Sequence, residues 1–95
     1  MTEARYQAYR RLRQLLPALA SSHVAAEQLE VLRQAGEDLL LMRPGQERLG
    51  ADAANRAADV LGRLVGSGGI DQAQAELLLD LLAGCGGAEP VRTGA

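Results

Sequence analysis

The chain has 95 residues, 47% hydrophobic and 23% charged, with a net charge of −2, which bounds it to one domain able to bury about 60–70% of its unfolded surface. Lysine is absent, so a P-loop lysine, a Schiff base and a lysine general base are excluded. No run of about 18 apolar residues exists to span a membrane, and the opening Met1-Thr2-Glu3 has no signal-peptide pattern, so a cytoplasmic location is expected.

Phe and Trp are also missing, and the apolar content is mostly leucine, valine and alanine. Such a core packs helix to helix and offers little to a sheet. The single cysteine precludes an internal disulfide.

The first helix is expected over residues 2–20. Ala8, Tyr9, Leu12, Leu15, Leu16 and Leu19 fall within an arc of roughly 120°, with Gln7, Arg10, Arg11 and Gln14 opposite. Pro17 removes one backbone donor and crowds residue 13, but Leu19 stays on the stripe. One kinked helix is therefore expected rather than a break.

Ser22 is the expected N-cap of a second helix over 23–43. Its apolar residues, among them Val24, Leu32, Ala35, Gly36, Leu39 and Leu40, fill about half the wheel, where an edge helix needs only about 100°. This helix is expected at the centre of the fold. Pro44-Gly45 stops it.

The third helix is expected over 46–65, with Leu49, Ala53, Ala57, Leu61 and Leu64 on its apolar side. Gly50 lies on that side too and costs roughly 1 kcal/mol of helix propensity, so the helix start is expected to shift past it. Asp71 and Gln74 then form a capping-box pattern for a fourth helix over 72–83. Leu77, Leu78, Leu79, Leu81 and Leu82 spread around roughly 200° of its wheel. Gly84 is expected to end it, and residues 85–95 read as a flexible tail.

The expected fold is thus all-α: a compact four-helix antiparallel bundle over residues 1–84 with a disordered C-terminal tail. No internal repeat is evident.

Chemistry-bearing patterns are few. The Gly66-Ser67-Gly68-Gly69 turn resembles a phosphate cradle, but Asp71 occupies the anion's place, which favours a plain hairpin turn. His23, Glu27 and Glu30 share a face at i, i+4 and i+7; with no second histidine, a metal site is not expected. Cys85 between glycines reads as an incidental exposed thiol rather than a mounted nucleophile. No enzyme, cofactor or metal is therefore expected.

Charge is uneven along the chain. Residues 1–16 carry Arg5, Arg10, Arg11 and Arg13 against Glu3, whereas residues 65–95 are acidic. Arg10, Arg11 and Arg13 are expected to meet acidic helix faces or a protein partner. Four helices cannot easily hide apolar arcs this wide, and Leu41 and Leu79 are the most conspicuous surplus. The sequence thus favours a small non-enzymatic interaction module, an adaptor, subunit or regulator acting through helix faces. Its partner-binding residues would be Arg10, Arg11, Arg13, Leu41 and Leu79, and a homodimer is expected. The alternative is a nucleic-acid-binding regulator using the basic first helix.

Overall fold

A computed structural model describes residues 2–87. It contains α1 (Glu3–Leu15), a 3-10 turn (Leu16–Leu19), α2 (Ala26–Leu41), α3 (Glu47–Gly66) and α4 (Gln72–Cys85). These form a four-helix bundle with no strands among the described residues. Of the expected tail, residues 88–95 lie outside the described residues.

α1 starts where the Thr2 hydroxyl accepts from the Arg5 amide at 3.2 Å, the ordinary N-cap geometry. Tyr9, Leu12 and Leu16 are buried along one stripe. Pro17 does not bend a continuous α-helix as expected. The α-helix stops at Leu15, and the chain tightens into the 3-10 turn, the element that tolerates a missing amide at its start. Leu19 still packs on the core, since the tighter winding keeps it on the inner side.

Ser22 does not cap α2. The residue at the N-cap position is Ala25, whose amide is satisfied by the Gln28 side chain at 2.9 Å. Ser21 and Val24 form an isolated bridge, with His23 N–H donating to the Ser21 hydroxyl at 3.1 Å. Val24 is drawn into the core by this turn. Burial of Val24 therefore delays the helix start by three residues relative to position 23.

α2 packs against α1, the 3-10 turn, α3 and α4, as its wide apolar arc requires. It ends at Leu41, two residues before the expected Arg43. α3 begins at Glu47 and runs straight through Gly50. A Cβ at that position would collide with the Met42 sulfur. The glycine is thus a contact point between α3 and the end of α2, and the close approach offsets its poor propensity. Ala53 and Ala57 continue the same buried stripe to Leu61 and Leu64.

The α3–α4 turn needs no anion. The amides of Ser67, Gly68 and Gly69 donate to carbonyls of α3's last turn, at 2.8–3.1 Å. Asp71 accepts from the Gln74 amide at 2.7 Å and Gln74 returns a bond to the Asp71 amide at 2.9 Å, the expected reciprocal cap. Asp71→Ala is therefore expected to cost about 0.5–2 kcal/mol, read as a lower urea midpoint. An unchanged midpoint would remove the cap from the account.

Gly84 does not end α4. It lies within the helix, where an added Cβ would sit 2.9 Å from that of Ala8. The helix continues to Cys85 because this turn is clamped against α1. α1 packs chiefly on α4 and α2 chiefly on α3, while α1 and α3 occupy the long diagonal with no close approach of their backbones. The start of α1 lies beside the ends of both α2 and α4, so it runs antiparallel to both. The buried side chains are Leu- and Ala-dominated, and no buried side-chain polar atom lacks a partner among the described residues.

Candidate interaction surfaces

Two surfaces collect the residues singled out by sequence. The first is an apolar corner where the end of α2, the start of α3 and the middle of α4 converge. Leu41 is 57% exposed, as expected from its place on the acidic face of α2, and Leu79 41%, as expected from the edge of its stripe. Leu49 is 57% exposed as well, although its wheel position pointed to the core. It sits in the first turn of α3, before the helix is covered.

Met42 separates two open grooves at this corner. One, of about 650 Å³, runs between α2 and α3 and is lined by Leu41, Leu49, Asp52, Asn55 and Arg56. Arg56 spans it to Asp38 at 2.9 Å. The other, of about 460 Å³, lies between α3 and α4 and is almost wholly apolar, with Ala51, Ala54, Leu79 and Ala83 around Met42. The first groove carries two carboxylates, Asp38 and Asp52, of which Asp38 is engaged by Arg56.

The second surface is the outer face of α1. Arg10, Arg11 and Arg13 are exposed. The Arg13 guanidinium stands 5.9 Å from the Tyr9 ring centroid, within reach of a cation–π contact. Of the two expected partners, acidic helix faces or another protein, the first does not meet these arginines among the described residues. Among the described residues the ion-paired arginines are Arg33, Arg56 and Arg63.

Arg33 holds Glu30 at 2.6 Å and Glu37 at 2.7 Å, and also donates to the Tyr9 hydroxyl at 3.4 Å. The hydrogen bond from Arg33 pulls the Glu30 carboxyl below its usual range, and the two carboxylates raise Arg33 further above its own. Those acids are thereby occupied within α2 itself, at i+3 and i+4 spacing.

His23 lies in the turn before α2, so it shares no helical face with Glu27 and Glu30. Cys85 overturns its expected exposure: it is fully buried at the end of α4. Burial pushes its thiol from 9.0 up to about 11, with the nearby Arg5 charge pulling weakly the other way. The neutral thiol of the fold favours stability below about pH 9, and this contribution fades as pH rises through about 11. At pH 8 an aromatic disulfide reagent is expected to label it about a hundredfold more slowly than an open cysteine. Equal rates in native and urea-unfolded protein would contradict the burial.

Sequence reasoning counted Arg5 only as one of the charges of the first helix and missed its role. Its Nε donates to the Cys85 carbonyl at 2.9 Å, and its Nη2 to the carbonyls of Leu39 at 2.6 Å and Leu40 at 3.1 Å. It closes the ends of α2 and α4 together. No helical-wheel signal marks it, because its partners are 34 to 80 residues away.

No protein-family model, curated protein or solved structure matches this chain.

Proposed function

We propose that this chain is a small non-enzymatic protein–protein interaction module, an adaptor, subunit or regulator, that works through helix faces and pairs as a homodimer. The observation that carries the reading is the apolar corner around Met42, where Leu41, Leu49 and Leu79 stand exposed beside two grooves. Burying a leucine contributes about 1.5–3 kcal/mol, so a cluster of half-exposed leucines is a drive toward association. A two-fold arrangement lets one such patch cover another copy of itself. Projecting leucines next to open grooves supply both the knobs and the holes for that pairing.

Light scattering at several concentrations tests it. A dimer mass at micromolar concentration that falls on dilution is the expected result. A monomer at every concentration, with a melting temperature independent of concentration, would refute the homodimer.

The second reading, a nucleic-acid-binding regulator, draws on the exposed Arg10, Arg11 and Arg13 of α1. It requires retardation of a duplex or single strand at low salt that charge reversal at these three positions abolishes. No described helix is long and apolar enough to cross a membrane.

A further inference from the structure

Among the described arginines outside ion pairs, Arg43 and Arg48 stand apart, whereas Arg10, Arg11 and Arg13 are concentrated within four residues of one helix. Arg33, Arg56 and Arg63 each have a carboxylate within 3.1 Å, and Arg5 is engaged with helix-end carbonyls. Arg10, Arg11 and Arg13 have no carboxylate in ion-pair reach among the described residues. The helix's own acid, Glu3, accepts from the Gln7 amide at 2.8 Å. α1 carries four arginines against Glu3, net +3, so the remainder of a chain of net charge −2 carries −5.

Tyr6, Arg10, Arg13 and Gln14 form one strip, and Arg11, about 200° round the helix from Arg13, stands on its flank. Tyr6, Arg10, Arg13 and Gln14 line one shallow depression, and Gln7, Arg10, Arg11 and Gln14 line its neighbour. From Tyr6 to Gln14 the strip is about 12 Å long at 1.5 Å per residue. Tyr6 is 45% exposed and gives the strip an aromatic end. Arginine with tyrosine is the composition of energetically dominant interface positions.

We infer that this α1 strip is the docking site for an acidic, amphipathic helical segment of a partner protein, with carboxylates one turn apart and an apolar residue for Tyr6. The inference rests on the interaction-module reading and names the partner's chemistry.

Two quantities favour this occupant over nucleic acid. Arg10 and Arg13 are one helical turn apart, about 5–6 Å between Cβ atoms, the same spacing that i and i+3 carboxylates have on a facing helix. Guanidinium forks take such carboxylates in bidentate pairs. A nucleic-acid site, in contrast, commonly engages about 6–10 phosphates. Arg10 and Arg13 on a strip of about 12 Å, with Arg11 on its flank, supply at most half of that, and the −5 carried by the rest of the chain opposes a long polyanion beyond the strip.

Fluorescence anisotropy on the full chain tests the inference. The probes are a labelled helical peptide of about four turns with glutamates at i, i+3 and i+7 and leucines at i+4 and i+11 on the same face, the same peptide with glutamine for glutamate, and a labelled oligothymidylate. The glutamate peptide is expected to bind at least about tenfold more tightly than the glutamine peptide, and about tenfold more weakly at 300 mM than at 50 mM salt. Arg10→Glu/Arg11→Glu/Arg13→Glu should abolish that binding with an unchanged circular dichroism spectrum. The same variant should gain a lysine version of the peptide, which a merely unfolded variant could not do. Tyr6→Ala should weaken binding several-fold without altering its salt dependence.

Equal binding of the glutamate and glutamine peptides, or tighter binding of oligothymidylate, would overturn the inference. So would loss of self-association in the arginine variant, which would seat a second copy on the strip. Leu41→Glu/Leu79→Glu should leave peptide binding unchanged, so failure of the dimer at the apolar corner is read separately from failure at α1.

Discussion

Leu41→Glu/Leu79→Glu is expected to weaken self-association about a thousandfold while keeping the helices. Leu41 is 57% and Leu79 41% exposed, so each has about half of its surface left to bury. Half of the leucine burial value is about 1 kcal/mol per side chain. A two-fold interface counts each substitution twice, giving about 4 kcal/mol, or three decades at about 1.4 kcal/mol per decade. The monomer should lose little, because exposed substitutions outside caps and cores usually stay within about 0.5 kcal/mol. Leu77 supplies the control. It is 41% exposed like Leu79, but two residues along a helix place it about 200° away, on the other flank of α4. Leu77→Glu should leave association as it is. Sedimentation equilibrium across a hundredfold range of concentration reads all three proteins, and equal weakening by Leu77→Glu would mean that the corner around Met42 is not the interface.

Arg5→Met is expected to be the most damaging change outside the hydrophobic core, at about 2–4 kcal/mol. The last carbonyls of a helix have no intrahelical donors. Arg5 supplies donors to three of them, on Leu39, Leu40 and Cys85. A hydrogen bond to a charged group contributes about 1.5–3 kcal/mol. The three do not simply add, because two share one nitrogen and the guanidinium retains some solvent contact. Its charge also faces the negative ends of two helix dipoles. Arg5→Lys should recover only part of the loss, since one ammonium lacks the planar fork that reaches both helices. Urea denaturation measures the series. A midpoint shift equivalent to less than about 0.5 kcal/mol for Arg5→Met would show that the bonds merely replace water.

Much of the fold was legible because its signals are local. Asp71 and Gln74 meet within one turn, so their reciprocal cap could be read from spacing alone. Pro44 and Gly45 separate α2 from α3 for reasons carried by those two residues. Periodicity assigned Leu12, Leu32, Leu61, Leu64 and Leu78 to the core, and all five are buried. The same wheels put Arg10, Arg11, Arg13 and Leu41 outside and Leu79 at the edge of its stripe, and all five are exposed. Each of these outcomes depends on an angle around one helix axis, which sequence determines once the helix forms.

The remaining features depend on where a neighbouring helix begins and ends. A wheel gives Leu49 an inward direction, but it does not say that α3's first turn lies open beside the α2–α3 groove. Gly84 and Cys85 looked like an exit from the fold. Contact with Ala8 and the reach of Arg5 to the Cys85 carbonyl continue α4 through both and bury the thiol. Val24 entering the core moved the start of α2 from the Ser22 cap to Ala25. Sequence therefore determined the helices, their faces and the charge of α1. Tertiary packing alone decided that Arg5 joins two helix ends while Arg10, Arg11 and Arg13 meet no acid among the described residues, because those partnerships are set by contacts between residues far apart in sequence.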